Sequence, residues 1–179
     1  DTLSTTSIFS WSRTDVSADL KMLLADSKRQ CWLVYPSDEA TKDSVTPFKD
    51  RITTFVPPVK SEGLTDEKKP VFILLDGTWQ QAKKMFRKSP YLDHLPILSL
   101  SPECLSRYRL RRASQANHLC TVEVAIELLG VAGEVRNASM LEDYFLVFSQ
   151  HYTAARSGHG VKEASDEMKR ALMNSQSLI

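Results

Sequence analysis

Glycine is scarce in this chain: six occur among 179 residues, and none falls in a GxGxxG or P-loop arrangement. Backbone cradles for phosphate need glycine where the chain passes close to the ligand, so the commonest nucleotide-binding loops are excluded. GxSxG and HExxH are missing as well, which removes the nucleophile elbow of hydrolases and the zinc-protease helix. The three cysteines, Cys31, Cys104 and Cys120, lie far apart without a CxxC pair, and the four histidines show no metal-ligand spacing. Reduced structural thiols in a cytoplasmic protein, with no metal in this chain, are the expectation. No apolar run reaches the length of a membrane span, and no signal-peptide pattern opens the chain. Internal repeats and low-complexity segments are also absent, and a length of 179 residues suits a single domain with a real core.

Net charge is scarce too, at +1, but its distribution is uneven. Between Lys83 and Arg112 stand Lys83, Lys84, Arg87, Lys88, Arg107, Arg109, Arg111 and Arg112, opposed only by Asp93 and Glu103. A local basic face of this kind is what phosphate binding needs, and a near-zero total hides it.

Two short, almost wholly apolar runs, Cys31–Tyr35 and Val71–Leu75, end in turn formers, Pro36-Ser37-Asp38 and Asp76-Gly77. Strands buried on both faces read this way, as in parallel sheets covered by helices. Ile97–Leu100 is a third candidate. Between them fall helical patterns: Ser17–Ala25 with Leu20, Leu23 and Leu24, Thr78–Lys88 with Trp79, Ala82, Met85 and Phe86, and Thr121–Leu129 with Val122, Ala125, Ile126 and Leu129. Ser139-Met140-Leu141-Glu142 matches a capping box, which predicts a last helix starting there and continuing through Tyr144, Phe145, Phe148 and Tyr152. Residues 41–69 read as a long loop with a short strand at Arg51–Val56. Strands alternating with helices predict an α/β domain with a mostly parallel sheet flanked by helices.

Three segments carry chemistry. In the first, a buried strand ends at Asp76, turns at Gly77 and enters a helix at Thr78 or Trp79. Strand ends are where ligands bind in open α/β sheets, but Asp and Thr also cap helices without further purpose, with Trp79 then in the core. The second, Ser106-Arg107-Tyr108-Arg109-Leu110-Arg111-Arg112, is purely basic. Arginine forks suit phosphate and stack on bases, although charge runs are often only solvated. The third, His118-Leu119-Cys120-Thr121-Val122-Glu123, precedes an amphipathic helix. Its amides suit a ligand, or Thr121 is a plain N-cap and Cys120 a packed thiol.

The segments FSWSRT (9–14), LLDGTWQQAKKM (74–85), LPILSLSP (95–102), SRYRLRR (106–112) and CTVEVAIELL (120–129) resemble, in order and spacing, the DTW-domain family. The resemblance covers nearly all of 1–179 and implies a tRNA-uridine aminocarboxypropyltransferase that uses S-adenosylmethionine. It also implies a SPOUT-like fold with a C-terminal trefoil knot, which unaided reading does not propose. It assigns catalysis to Asp76, Thr78 and Trp79, with Asp76 as general base or cation clamp, its carboxyl raised in pKa by partial burial. Cofactor contacts fall to Ser12, Arg13, Thr14, Leu74, Asp76, Trp79, Leu98, Leu100, Ser101, Leu119, Cys120 and Thr121. Binding of tRNA falls to Lys83, Lys84, Arg87, Arg107, Arg109, Arg111 and Arg112, some of which would instead hold the cofactor carboxylate. The family's usual Ser before Thr121 is Cys120 here. Members carry an upstream segment, often with zinc-ligand spacing, and this chain starts at Asp1, so further residues and zinc are expected upstream. A SPOUT-type methyltransferase and a non-catalytic RNA-binding module are the competing functions, and a monomer is favoured.

Overall fold

The computed structural model describes residues 5–36, 48–53, 68–100, 119–158, 169–170 and 173. They belong to two compact units, Leu3–Ser101 and Pro102–Ile179.

The first unit opens with a segment free of regular structure that leads to α1 (Ala18–Ala25). Ser17 caps α1 by accepting from the Leu20 amide at 3.1 Å, and Leu20, Leu23 and Leu24 are its half-buried stripe. Asp26 turns the chain into the sheet: it accepts from the Lys28 amide at 2.9 Å and pairs with Arg29 at 3.0 Å. Strand β1 (Arg29–Val34) follows, then a 3-10 turn (Phe48–Arg51) and the two-residue strand β2 (Ile52–Thr53). Next come β3 (Lys69–Ile73), α2 (Trp79–Lys88), a second 3-10 turn (Pro90–Leu92) and β4 (Ile97–Leu98).

The strands lie in the order β2-β4-β1-β3, every pair parallel. The expected strands are therefore present, shifted by about two residues toward their N-termini at β1 and β3. Pro70 falls inside β3, which is tolerable because β3 is an edge and a proline there removes no internal ladder bond. Of the strand expected at Arg51–Val56, Ile52–Thr53 forms, and residues 54–56 lie outside the described residues, as does most of the loop read at 41–69. The core gathers on β1 and β4: Leu33 and Ile97 are sealed from solvent, with Cys31, Tyr35, Phe86, Leu92 and Leu95 around them. Arg51 ties β2 to this core by donating to the carbonyls of Leu95 (2.9 Å) and Leu92 (2.8 Å). Burial lowers the pKa of its guanidinium.

The second unit contains α3 (Thr121–Val131) and α4 (Val135–Arg156), which pack on each other. Val122, Ala125, Ile126 and Leu129 are only half-buried, and the deepest α3 residues are Glu123 and Leu128. The capping box at Ser139 is overturned. Helix α3 closes at Ala132-Gly133, where Gly133 takes φ +80°, and α4 starts at once at Val135. Ser139 is then an interior residue of α4. The helix does continue through the expected aromatics: Phe145 is buried, as are Met140 and Asp143, whereas Tyr144, Phe148 and Tyr152 are exposed.

Candidate active site

Parallel pairing brings all the strand C-termini to one edge. Leu33 is level with Ile73 on β3 and with Ile97 on β4. β1 ends at Val34, β3 at Ile73 and β4 at Leu98, so Pro36, Asp76 and Leu100 follow their strands on the same side of the sheet. The edge at which α/β sheets take ligands is thus formed by the segment following β1, the DGTW turn and the segment following β4.

At that edge Leu74 is half-buried and Asp76 is exposed. Gly77 makes the turn in little space, since a Cβ on it would stand 3.0 Å from Cβ of Gln81. Thr78 is the N-cap of α2. Its Oγ1 accepts from the Gln81 amide at 3.3 Å, while Oε1 of Gln81 accepts from the Thr78 amide at 2.7 Å. The capping reading of the turn holds: Thr78 caps the helix, and the cap fixes the segment that follows Asp76. The exposure of Asp76 corrects one expectation, because the strand end does not bury it.

Trp79 is half-buried and belongs to two surroundings. One is the core, where the Tyr35 ring stacks on it (centroids 5.7 Å apart, planes 18° apart) and on Phe86 (4.1 Å, 10°). The other is a cleft of about 430 Å³ lined by Trp79, Gln80, Lys83, Lys84, Arg87 and Lys88. Helix α2 carries no acidic residue, so it contributes Lys83, Lys84, Arg87 and Lys88 to the cleft wall and no acid. Arg87 and Lys88 stand in the last turn of α2, where cations also complement the helix dipole.

The segment 9–14 reaches α2 through Trp11. Its indole donates to Oγ of Ser89 at 2.9 Å, and Ser89 donates to the Tyr91 hydroxyl at 3.2 Å. Nζ of Lys84 lies 5.9 Å from the centre of the Trp11 ring. Ser12 closes a local turn by accepting from the Asp15 amide at 2.9 Å, and Arg13 and Thr14 are exposed. Leu98 is buried, and its carbonyl accepts from the Tyr35 amide at 3.1 Å, while Leu100 is half-buried. Ser101, Arg107, Arg109, Arg111 and Arg112 lie outside the described residues.

In the second unit Leu119, Cys120 and Thr121 are half-buried at the start of α3. Cys120, not Thr121, is the N-cap, and its amide donates to the Glu123 carboxylate at 2.9 Å. Burial pushes the Cys120 thiol up to about 11.

Tyr35, Gln81 and Ser89 shape the site and were missed from the sequence. Tyr35 had a usable signal, since it ends an apolar strand at the ligand edge. Gln81 stands at the third helical position after Thr78, which is the capping-box spacing. Ser89 had none, because its role depends on Trp11, 78 residues away. In a comparison with models of known families, the DTW domain matches residues 1–153. No solved structure matches the chain.

Proposed function

This chain belongs to the DTW-domain family, that of the tRNA-uridine aminocarboxypropyltransferases, and on that footing we propose the specific reaction. It moves the 3-amino-3-carboxypropyl group of S-adenosylmethionine to N3 of a uridine in tRNA and releases methylthioadenosine. The observation that carries this reading is the position of Asp76. An exposed carboxylate stands at the ligand edge of a parallel sheet, directly before a capped helix whose face is a basic cleft.

The residues fit such a pair of substrates. Uridine N3 is a weak acid, and Asp76 accepts its proton as the bond from N3 to the aminocarboxypropyl carbon forms. The bond from that carbon to sulfur breaks, its electron pair stays on sulfur, and the sulfonium becomes a neutral thioether. Before transfer, the Asp76 charge also favours the sulfonium and ammonium of the co-substrate. Trp79, held against Tyr35, offers a fixed ring face to the same cation. Lys83 and Lys84, with Arg87, take RNA phosphates or the co-substrate carboxylate, and Arg107, Arg109, Arg111 and Arg112 extend that role. Ser12, Arg13, Thr14, Leu74, Leu98, Leu100, Ser101, Leu119, Cys120 and Thr121 are proposed to hold the co-substrate, on the family resemblance. We take the fold to be SPOUT-like with a C-terminal knot.

The test is incubation of unmodified tRNA with S-adenosylmethionine labelled in its carboxyl carbon. Label retained on tRNA, with release of methylthioadenosine, is expected. Transfer of a methyl label alone would replace this reading with that of a methyltransferase.

A further inference from the structure

Residues 5–17 have no regular secondary structure and few buried side chains, yet Trp11 joins them to α2 at two points. One is Ser89 at the C-terminal end of the helix, which is completely buried. The other is Lys84, five residues earlier and roughly 7.5 Å back along the helix axis. The Ser89 hydroxyl accepts from the indole and donates to Tyr91, so both of its partners are fixed and it cannot rotate without breaking one. The indole is thereby held by its edge while its face stays beside the Lys84 ammonium.

We propose that Trp11 is a positioning residue for RNA: a latch that holds Lys84 in the basic cleft ready for a phosphate. A lysine is a point charge on a flexible four-carbon stem, and free rotation of that stem is lost on binding. An ammonium resting on an aromatic face loses part of this freedom beforehand, and its N–H groups on the far side stay available to an anion. Ser89 contributes through Trp11 and touches no ligand itself. The sequence alone points elsewhere, since FSWSRT suggests contacts from Ser12–Thr14, whereas the anchoring residue is Trp11. This inference rests on the tRNA reading of the preceding subsection.

The test is a double-mutant cycle on tRNA affinity with the whole chain, using Trp11→Leu, Lys84→Ala and the double variant. Each single change is expected to weaken binding about threefold and to lower the salt slope by up to about one. The double variant should lose no more than Lys84→Ala alone, because Trp11 acts through Lys84. Trp11→Phe keeps a ring but removes the N–H donor. It should fall between wild type and Trp11→Leu, as should Ser89→Ala, and both guard against a folding defect in the leucine variant. Ring-current displacement of the Lys84 side-chain resonances should disappear in Trp11→Leu. Multiplying losses in the cycle, or unchanged Lys84 resonances, overturn the latch while leaving the tRNA reading intact. Absence of tRNA binding by the wild type overturns both.

Discussion

Glu123 turns its carboxylate back onto the Cys120 amide, so α3 begins with half of a capping box whose other half is a thiol. Sulfur is a weak acceptor compared with the hydroxyl of Ser or Thr. Cys120→Ser should therefore stabilise the protein, by up to about 1 kcal/mol, read as a higher midpoint in thermal unfolding. The thiol supplies a pH test as well. Its pKa is raised from 9.0 to about 11 in the fold, so between those values the unfolded chain releases a proton that the folded chain keeps. Stability must then fall as pH rises through that window, and alkylation of native Cys120 should be slow at pH 8. Cys120→Ser should remove that part of the alkaline loss. Asp76 offers the corresponding chemical test. Asp76→Asn keeps the shape and removes the proton acceptor, so methylthioadenosine release should drop by about 10²- to 10⁴-fold. Affinity for tRNA should change by less than about twofold. Turnover within tenfold of wild type would exclude Asp76 as the base.

The start of α2 shows how an element and a site share one device. Thr78 and Gln81 bond each other's amides, and Gly77 leaves no room for a side chain next to Gln81. Gly77→Ala should push Gln81 aside and open the cap, at a cost of about 1 kcal/mol. Thr78→Ala should cost a similar amount, and unfolding in urea measures both. If Gly77→Ala were neutral, Gln81 would have another place to go and the turn would be looser than its geometry indicates. Most of this was legible in the sequence: two apolar runs that stop at turn formers read as strands, although β3, at the edge, is only half-buried, and a Thr before an amphipathic run reads as a cap. The Trp79–Tyr35–Phe86 stack was not legible, since it requires Tyr35, just past the end of β1, to meet two residues seven apart on α2, which only the tertiary fold decides. At α4 local pattern misled. Ser139-Met140-Leu141-Glu142 has the capping spacing, but Gly133 had already ended α3, and the chain re-entered a helix at Val135, five residues before Met140, the first helical position that a cap at Ser139 would give.

Across the chain a net charge of +1 coexists with a cleft wall that carries Lys83, Lys84, Arg87 and Lys88 and no acid on its helix. These cations serve two purposes that pull mutational results in different directions. Arg87 and Lys88 face the negative end of the helix dipole, so replacing them should reduce stability by about 0.3–1 kcal/mol each besides any effect on binding. Lys83 and Lys84 lie in the middle of α2, away from its C-terminal dipole. Contacts between the four cations and RNA phosphates would release counterions, and log affinity should then fall by about three to four for each log unit of added salt. Lys83→Ala should remove about one unit of that slope. Titrating tRNA at several salt concentrations measures the slope directly. A flat response would mean that the charge on α2 is only a solvated helix face. A steep response that Lys83→Ala leaves unchanged would move the phosphate contacts to other cations of the chain, with Arg107, Arg109, Arg111 and Arg112 first in line.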